Sequence, residues 1–270
     1  NILLMGSDSR IDQDENLIDP DAVDDDTMQS DTTMVMHIAA DRQSVTLVSI
    51  PRDIWMQIPE CKHSDGSVSR KQWGQFNWAF SLGADGGTED VAGAIACTEK
   101  TVEQISGVPL SAFVLIDFTG FTRMIDALGG VEICLEAELV DTEYLGASFP
   151  AGCQVLRGGD AINFARLRHA DSVSMTDGSD MERIQRQQKL IGAMVQEALS
   201  ANMLTELPSL YQFATATLDS TVISPSLGSV GKLVGLARSL QGMDPANIRM
   251  TTMPVLTTDF NANRLMPKEP

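Results

Sequence analysis

Four arginines crowd into residues 163–188, NFARLRHADSVSMTDGSDMERIQRQQ, of a chain whose formal net charge is −18. Arg166 and Arg168 flank Leu167, so on an extended or turning segment both guanidinium groups project to one side. Arg183, Arg186 and Gln187 have the i, i+3, i+4 spacing of one helical face. Two such basic pairs can converge on one anion. Ser179 followed by Glu182 fits a capping box, which would begin a helix there and set its positive end and unpaired N–H groups beside the arginines. Phosphate suits this chemistry best, because a planar guanidinium bonds its oxygens bidentately where lysine offers a point charge. A solvated, salt-bridged helix start would use the same residues, and the rest of the chain decides between the two.

The elements that must position these residues alternate. Residues 1–5 read as a buried strand broken at Gly6, and the polar turn Ser7-Asp8-Ser9-Arg10 follows at its carboxyl end, where ligands often sit in α/β sheets. Residues 12–31 carry nine acidic residues and no lysine or arginine, which reads as a mobile surface loop. Asp12, Asp14 and Asn16 have calcium-loop spacing, but Leu17 and Val23 stand where glycine and the bidentate glutamate belong, so an EF-hand is rejected. Thr32–Ala40 and Val45–Ile50 are β-rich runs, and the second ends in Pro51-Arg52-Asp53, another Arg-Asp pair at a strand end. His37 is read as a core or hydrogen-bonded strand histidine. Residues 54–87 read as loop-rich, with Trp55, Trp73, Phe76, Trp78 and Phe80 taken as packing rather than a sugar platform. Helices are expected at Glu89–Ser106, Phe118–Leu128, Asp180–Ser200, Leu207–Leu218 and Ser226–Gln241, and strands at Ala112–Asp117, Val131–Leu135 and Ile248–Val255. Residues 261–270 read as a tail. The alternation predicts an α/β fold, an α/β/α sandwich with a central mixed β-sheet and helices on both faces.

At 270 residues and 43% hydrophobic content the chain can bury a sizeable core, and it is read as one domain spanning residues 1–270. The acidic surface would repel a polyphosphate backbone, so no nucleic-acid partner is expected. Four cysteines, none in a CxxC pair, favour disulfides and an oxidising, extracytoplasmic location. Cys61 with Cys97 and Cys134 with Cys153 is the preferred pairing among three connectivities. The opening Asn-Ile-Leu-Leu-Met reads as the inside of a strand, which leads us to expect an upstream segment with room for a membrane anchor.

The chain resembles the LytR-CpsA-Psr family of cell-wall glycopolymer ligases. The resemblance runs to about Ser200 and rests on NILLMGSDSR at the start, SDTTMVMHI around Asp31, VSIPRD at 48–53, IDFTGF at 116–121, DALGGVE at 126–132, LRGGDAINFARLR at 156–168 and ERIQRQQ at 182–188. It implies an α/β/α fold, a membrane anchor, and transfer of a phosphoglycan from a polyprenyl-pyrophosphate carrier to a hydroxyl of a cell-wall acceptor, either peptidoglycan or a surface protein. It also implies an address on the extracytoplasmic face of the membrane of a Gram-positive-type bacterium, and the cysteine pairs resemble those of actinobacterial members. Residue by residue, it implies that Asp8 and Asp31 hold Mg2+, and that Arg10, Arg52, Arg166, Arg168, Arg183 and Arg186 bracket the pyrophosphate, with Gln187 hydrogen-bonded to it. Asp180 is the expected general base, keeping its offset of three before Arg183. Gln75, in QFNWAF, stands where the family commonly has a lysine in a KINAAY-like motif, and is expected beside the phosphate. The polyprenyl chain would need an apolar slot under the helices at 118–128 and 184–198. Two other readings use the same residues: a noncatalytic domain binding polyprenyl phosphate or an anionic glycan, and a metal-dependent pyrophosphatase.

Overall fold

Ile2, Leu3, Leu4 and Met5 open the strand on which the central sheet is built. The computed structural model describes residues 1–7, 29–85, 90–141, 145–167, 180–257 and 264–268; at positions 31, 180–184, 201 and 202 it describes the backbone alone. In chain order the elements are β1 (Ile2–Ser7), β2 (Ser30–Ile38), β3 (Val45–Ile50), β4 (Trp55–Ile58), β5 (Gln72–Gln75), α1 (Trp78–Gly83), α2 (Val91–Ser106), β6 (Ala112–Ile116), α3 (Phe118–Ala127), β7 (Val131–Leu135), β8 (Leu139–Asp141), β9 (Ala147–Phe149), β10 (Gly152–Leu156), α4 (Gly158–Arg166), α5 (Asp180–Ala198), α6 (Ala201–Thr205), α7 (Leu207–Asp219), β11 (Thr221–Ile223), α8 (Val230–Ser239), β12 (Ile248–Thr252), β13 (Val255–Thr257) and β14 (Leu265–Pro267).

The central sheet has the order β11-β6-β1-β2-β3-β12. Strand β1 runs parallel to β6, β3 runs parallel to β12, and β2 lies antiparallel between β1 and β3. Alternation along the strands sends side chains to two cores. Leu3, Met5 and Val35 pack with Phe76, Phe80, Ile95 and Val102 under α1 and α2. Leu4, Met34, Met36 and Leu47 pack on the opposite face with Ile191 and Val195 of α5. Helices therefore cover both faces of a mixed sheet, as the alternation of elements predicts. A further core gathers α3, α4, α5 and α7 around Ile125, Phe164, Leu190 and Leu210, and α5 serves both this core and the sheet.

Local chemistry fixes the elements next to the site. Helix α2 starts where the Asp90 carboxylate accepts the Gly93 N–H at 2.8 Å, and it ends at Gly107, whose φ of 67° suits glycine. Helices α1 and α2 cross at Gly83 and Gly93, where a Cβ on Gly93 would lie 2.3 Å from the Gly83 carbonyl oxygen. Disulfides join Cys61 to Cys97, tying the segment after β4 to α2, and Cys134 to Cys153, directly opposite each other on β7 and β10.

Some sequence expectations need correction. Within the loop-rich residues 54–87, β4 and β5 form a hairpin followed by α1, elements without a sequence expectation because four-residue strands give too few alternations to register as a period. Arg166 lies in the last turn of α4, where an extended or turning segment is expected. The strand expected at Ile248–Val255 is two strands, β12 and β13, broken at Met253-Pro254, since proline cannot donate to a ladder. Within the expected tail, Leu265–Pro267 pairs with β13.

Candidate functional site

Strands β1, β3, β6 and β12 all end on one edge of the sheet, where β2 and β11 begin. Such an edge exposes strand ends and loop starts, so it is the natural place for a ligand. At that edge Gly6 pairs with Thr32 and Ser7 pairs with Ser30, which leaves Asp31 as the extra residue of a β-bulge. A bulge re-aims one residue out of the regular alternation. Asp31 thus stands at the junction of β1 and β2, one residue from Thr32.

Helix α5 docks on the same edge through consecutive glutamines. The Thr32 hydroxyl donates to Gln187 Oε1 at 2.9 Å, and Gln188 Nε2 donates to Thr252 Oγ1 at 2.7 Å. Position 183 lies one turn N-terminal of Gln187, and Asp180 is the first residue of the helix. Arg186 is buried, 8% exposed, and its Nη2 donates to the Leu167 carbonyl at 2.7 Å. It thereby braces α5 against the end of α4. Arg166 stacks over Phe118, the first residue of α3, with its guanidinium carbon 4.6 Å from the ring centre. Asp117, at the end of β6, caps α3 by accepting the Gly120 N–H at 2.6 Å.

Arg52 follows β3 by two residues and is held through Asp53. Its Nε lies 3.6 Å from Asp53 Oδ2, while Gln75 Nε2 donates to Asp53 Oδ1 at 2.6 Å. The Gln75 amide nitrogen is therefore engaged with the carboxylate beside Arg52. Asn77 adds a second tie: its backbone N–H donates to the Arg52 carbonyl at 3.2 Å and its Nδ2 donates to Gln29 Oε1 at 2.8 Å. Asn77 is buried, and its Oδ1 has no hydrogen-bond partner among the described residues. Asp8, Arg10, Arg168 and the capping Ser179 lie outside the described residues, as does the acidic segment before Gln29.

Arg52, Arg166, Gln75, Gln187 and the Asp31 backbone are thus held by elements that meet at this edge. No spacing or charge pairing in the sequence singles out Thr32, Asn77 or Gln188, which help to hold them. Asp53 was visible as half of the Arg-Asp pair, but its bond to Gln75 joins residues 22 apart in sequence.

Fold and site together define a mixed α/β domain whose candidate site lies at the carboxyl ends of its parallel strands. The chain belongs to the LytR_cpsA_psr family, which it matches over residues 1–269. It is 32% identical to the cell wall biosynthesis protein LcpA of Corynebacterium glutamicum, over 96% of this chain and 50% of that protein. It is 29% identical to the polyisoprenyl-teichoic acid–peptidoglycan teichoic acid transferase TagU of Oceanobacillus iheyensis, over 76% of this chain and 53% of that protein. The chain spans about half the length of these curated relatives. Among solved structures, TagV of B. subtilis superposes with a TM-score of 0.67 at 20% identity, covering 99% of this chain and 90% of that one. A LytR-Csp2A-Psr enzyme of Actinomyces oris gives 0.65 at 19% identity, covering 99% and 85%. At such identities the likeness establishes the fold.

Proposed function

We propose that this chain is the catalytic domain of a phosphotransferase that moves a phosphoglycan from a polyprenyl-pyrophosphate carrier to a hydroxyl of a cell-wall acceptor, peptidoglycan or a surface protein. The observation that carries the proposal is the meeting of Arg52, Arg166, the Asp31 bulge and the Gln187 face of α5 at one sheet edge, in a chain matching this family from end to end. Two names support the substrate class. The relative TagU is a polyisoprenyl-teichoic acid–peptidoglycan transferase, and a structural neighbour is TagT bound to LI-WTA.

In the reaction the acceptor oxygen attacks the glycan-bearing phosphorus, the bridging P–O bond breaks, and polyprenyl phosphate departs with the electron pair. Arg52 and Arg166 neutralise charge that builds on the bridging and peripheral oxygens, the largest contribution a preorganised site makes to phosphoryl transfer. Their orientations are set in advance, by Asp53 for Arg52 and by Phe118 for Arg166. Arg168, Arg183 and Arg10 complete the cationic set, and Asp180 accepts the acceptor's proton. Gln187, fixed through its oxygen to Thr32, can present its amide N–H groups to phosphate.

The carboxylates of Asp31 and Asp8 supply the hard oxygen donors that Mg2+ prefers, and Asp31 stands in the bulge beside Ser7, the residue that precedes Asp8. They would hold the ion, which when bound would neutralise pyrophosphate charge. Action at the outer face of the membrane, through an anchor, belongs to the same proposal. Among the described residues no helix is long and apolar enough to cross a membrane.

The test is Mg2+-dependent release of polyprenyl phosphate from a polyprenyl-pyrophosphate glycan. Arg52→Ala should lower kcat/KM about a hundredfold or more, the scale of a lost electrostatic donor, and Asp31→Ala should abolish the Mg2+-dependent release. Tight lipid binding without turnover in the unmodified chain would sink the reading in favour of a binding domain. Release without transfer to any acceptor hydroxyl would reduce it to a pyrophosphatase.

A further inference from the structure

The five aromatic residues between 54 and 87 separate in the structure. Phe76 and Phe80 are core residues, 1% and 0% exposed, whereas Trp73 is 56% exposed. An indole left this open on a strand removes a large apolar surface from the core without an evident packing return. Its surroundings are specific. In the β4–β5 hairpin, Trp73 lies directly opposite Gln57, and Gln75 lies opposite Trp55. Strand alternation places Trp73 and Gln75 on the same face of β5, about 7 Å apart along it. Gln75 is bonded to Asp53, and Asp53 is paired with Arg52. The exposed indole is therefore one step along the strand from the residues that orient the phosphate-site arginine.

The platform is also rigid. Met56, Ile58 and Gly74 are buried on the other face, and a Cβ on Gly74 would lie 2.4 Å from the Trp78 ring, so the hairpin sits tightly on α1. Gln104 of α2 donates to the Gln57 carbonyl at 2.8 Å, and the Cys61–Cys97 disulfide follows three residues after β4. A flat aromatic face flanked by amide side chains suits a pyranose ring, whose C–H face stacks on the indole while its hydroxyls exchange hydrogen bonds with amides.

We infer that Trp73, with the side chains of Gln57 and Gln75, forms a sugar-ring subsite on the outer face of the β4–β5 hairpin, on the same strand face as the glutamine that holds Asp53 beside Arg52. The inference rests on the phosphotransferase reading and extends it to the glycan. The ring could belong to the acceptor or to the donor, and the experiment separates them. Exposed Arg70 and Lys71 precede Trp73, so an anionic membrane surface is the rival occupant.

The test compares the unmodified chain with Trp73→Ala and Trp73→Phe in three assays: co-sedimentation with peptidoglycan and with soluble glycan strands cut from it, transfer kinetics with donor and acceptor varied separately, and flotation with anionic phospholipid vesicles. Trp73→Ala should weaken glycan binding, or raise the KM of one substrate, about tenfold, and Trp73→Phe should recover part of the loss, as stacking requires. A rise in the acceptor's KM, with the partition of turnover shifted from transfer toward hydrolysis, assigns the ring to the acceptor; a rise in the donor's assigns it to the donor. Unchanged glycan binding and unchanged KM for both substrates would overturn the subsite, as would loss of vesicle flotation alone. Glycan co-sedimentation requires no turnover, so an inactive chain that still loses glycan with Trp73→Ala would count against the phosphotransferase reading and not against the subsite.

Discussion

Asp53 stands between two donors, and that position explains what Gln75 does. A carboxylate beside a guanidinium can rotate toward solvent unless its second oxygen is also held, and Gln75 Nε2 holds it at 2.6 Å. On the phosphotransferase reading, Gln75 would act on phosphate through Asp53 and Arg52, as a positioning residue. Gln75→Leu should lower kcat/KM for the pyrophosphate donor about three- to tenfold, the scale of one hydrogen bond to a charged group in a partly exposed setting. Gln75→Lys should restore most of the loss, because an ammonium can donate to the same oxygen, and the Tm should stay near that of the unmodified chain in both. Equal activity in Gln75→Leu and the unmodified chain would show that Arg52 needs no such support. Arg186 shows the opposite relation between type and role. Its spacing on α5 matches Gln187, yet its guanidinium is buried against the end of α4. Spacing tells which residues share a helical face but not how deeply that face is covered.

Among the elements, those with long periodic patterns were legible. Strand β3 and strand β7 match their expected bounds, and α2, α3, α5 and α7 fall within a few residues of theirs. The four-residue strands of the β4–β5 hairpin were not legible, and neither was the Asp31 bulge, because a bulge is a mismatch between two strands and one strand's sequence does not contain it. The caps lie between these cases. Asp90 precedes an apolar-periodic helix, as an N-cap should, but the Ser64 contacts that reinforce it come from a distant loop. The Ser64 hydroxyl, then the Ser64 and Gly93 N–H groups, hold the Asp90 carboxyl below its ordinary range. A depressed carboxyl contributes stability above its unfolded pKa and loses it as pH falls through the folded value. Asp90→Asn keeps a side-chain acceptor but removes the charge, so its Tm should lie below that of the unmodified chain at neutral pH. The gap should close as pH falls below the ordinary carboxyl value of 3.8. A gap that stays constant as the pH falls from neutral through that value and well below it would mean that the charge contributes nothing at this cap.

For the whole molecule, a formal net charge of −18 surrounds the site proposed to hold pyrophosphate. The two fields act over different distances, and salt separates them. At roughly 0.01 M ionic strength the screening length is about 30 Å, comparable to the domain itself, so an approaching pyrophosphate feels the repulsion of the entire chain. Near 0.15 M it falls to about 8 Å, and the long-range repulsion is largely gone. On the phosphotransferase reading, contacts with Arg52 and Arg166 would form at a few ångströms, inside that length, and would survive the screening. For a soluble, short-chain pyrophosphate donor, kcat/KM should therefore rise as ionic strength increases from about 0.01 to 0.15 M, and fall only toward 1 M, where the length is about 3 Å and the contact pairs weaken too. Arg52→Ala should retain the rise at low salt, which belongs to the whole surface, while losing activity at every concentration. A steady decline from the lowest salt upward would show that the arginine cluster already governs the field at long range, and that the acidic surface faces away from the substrate's approach.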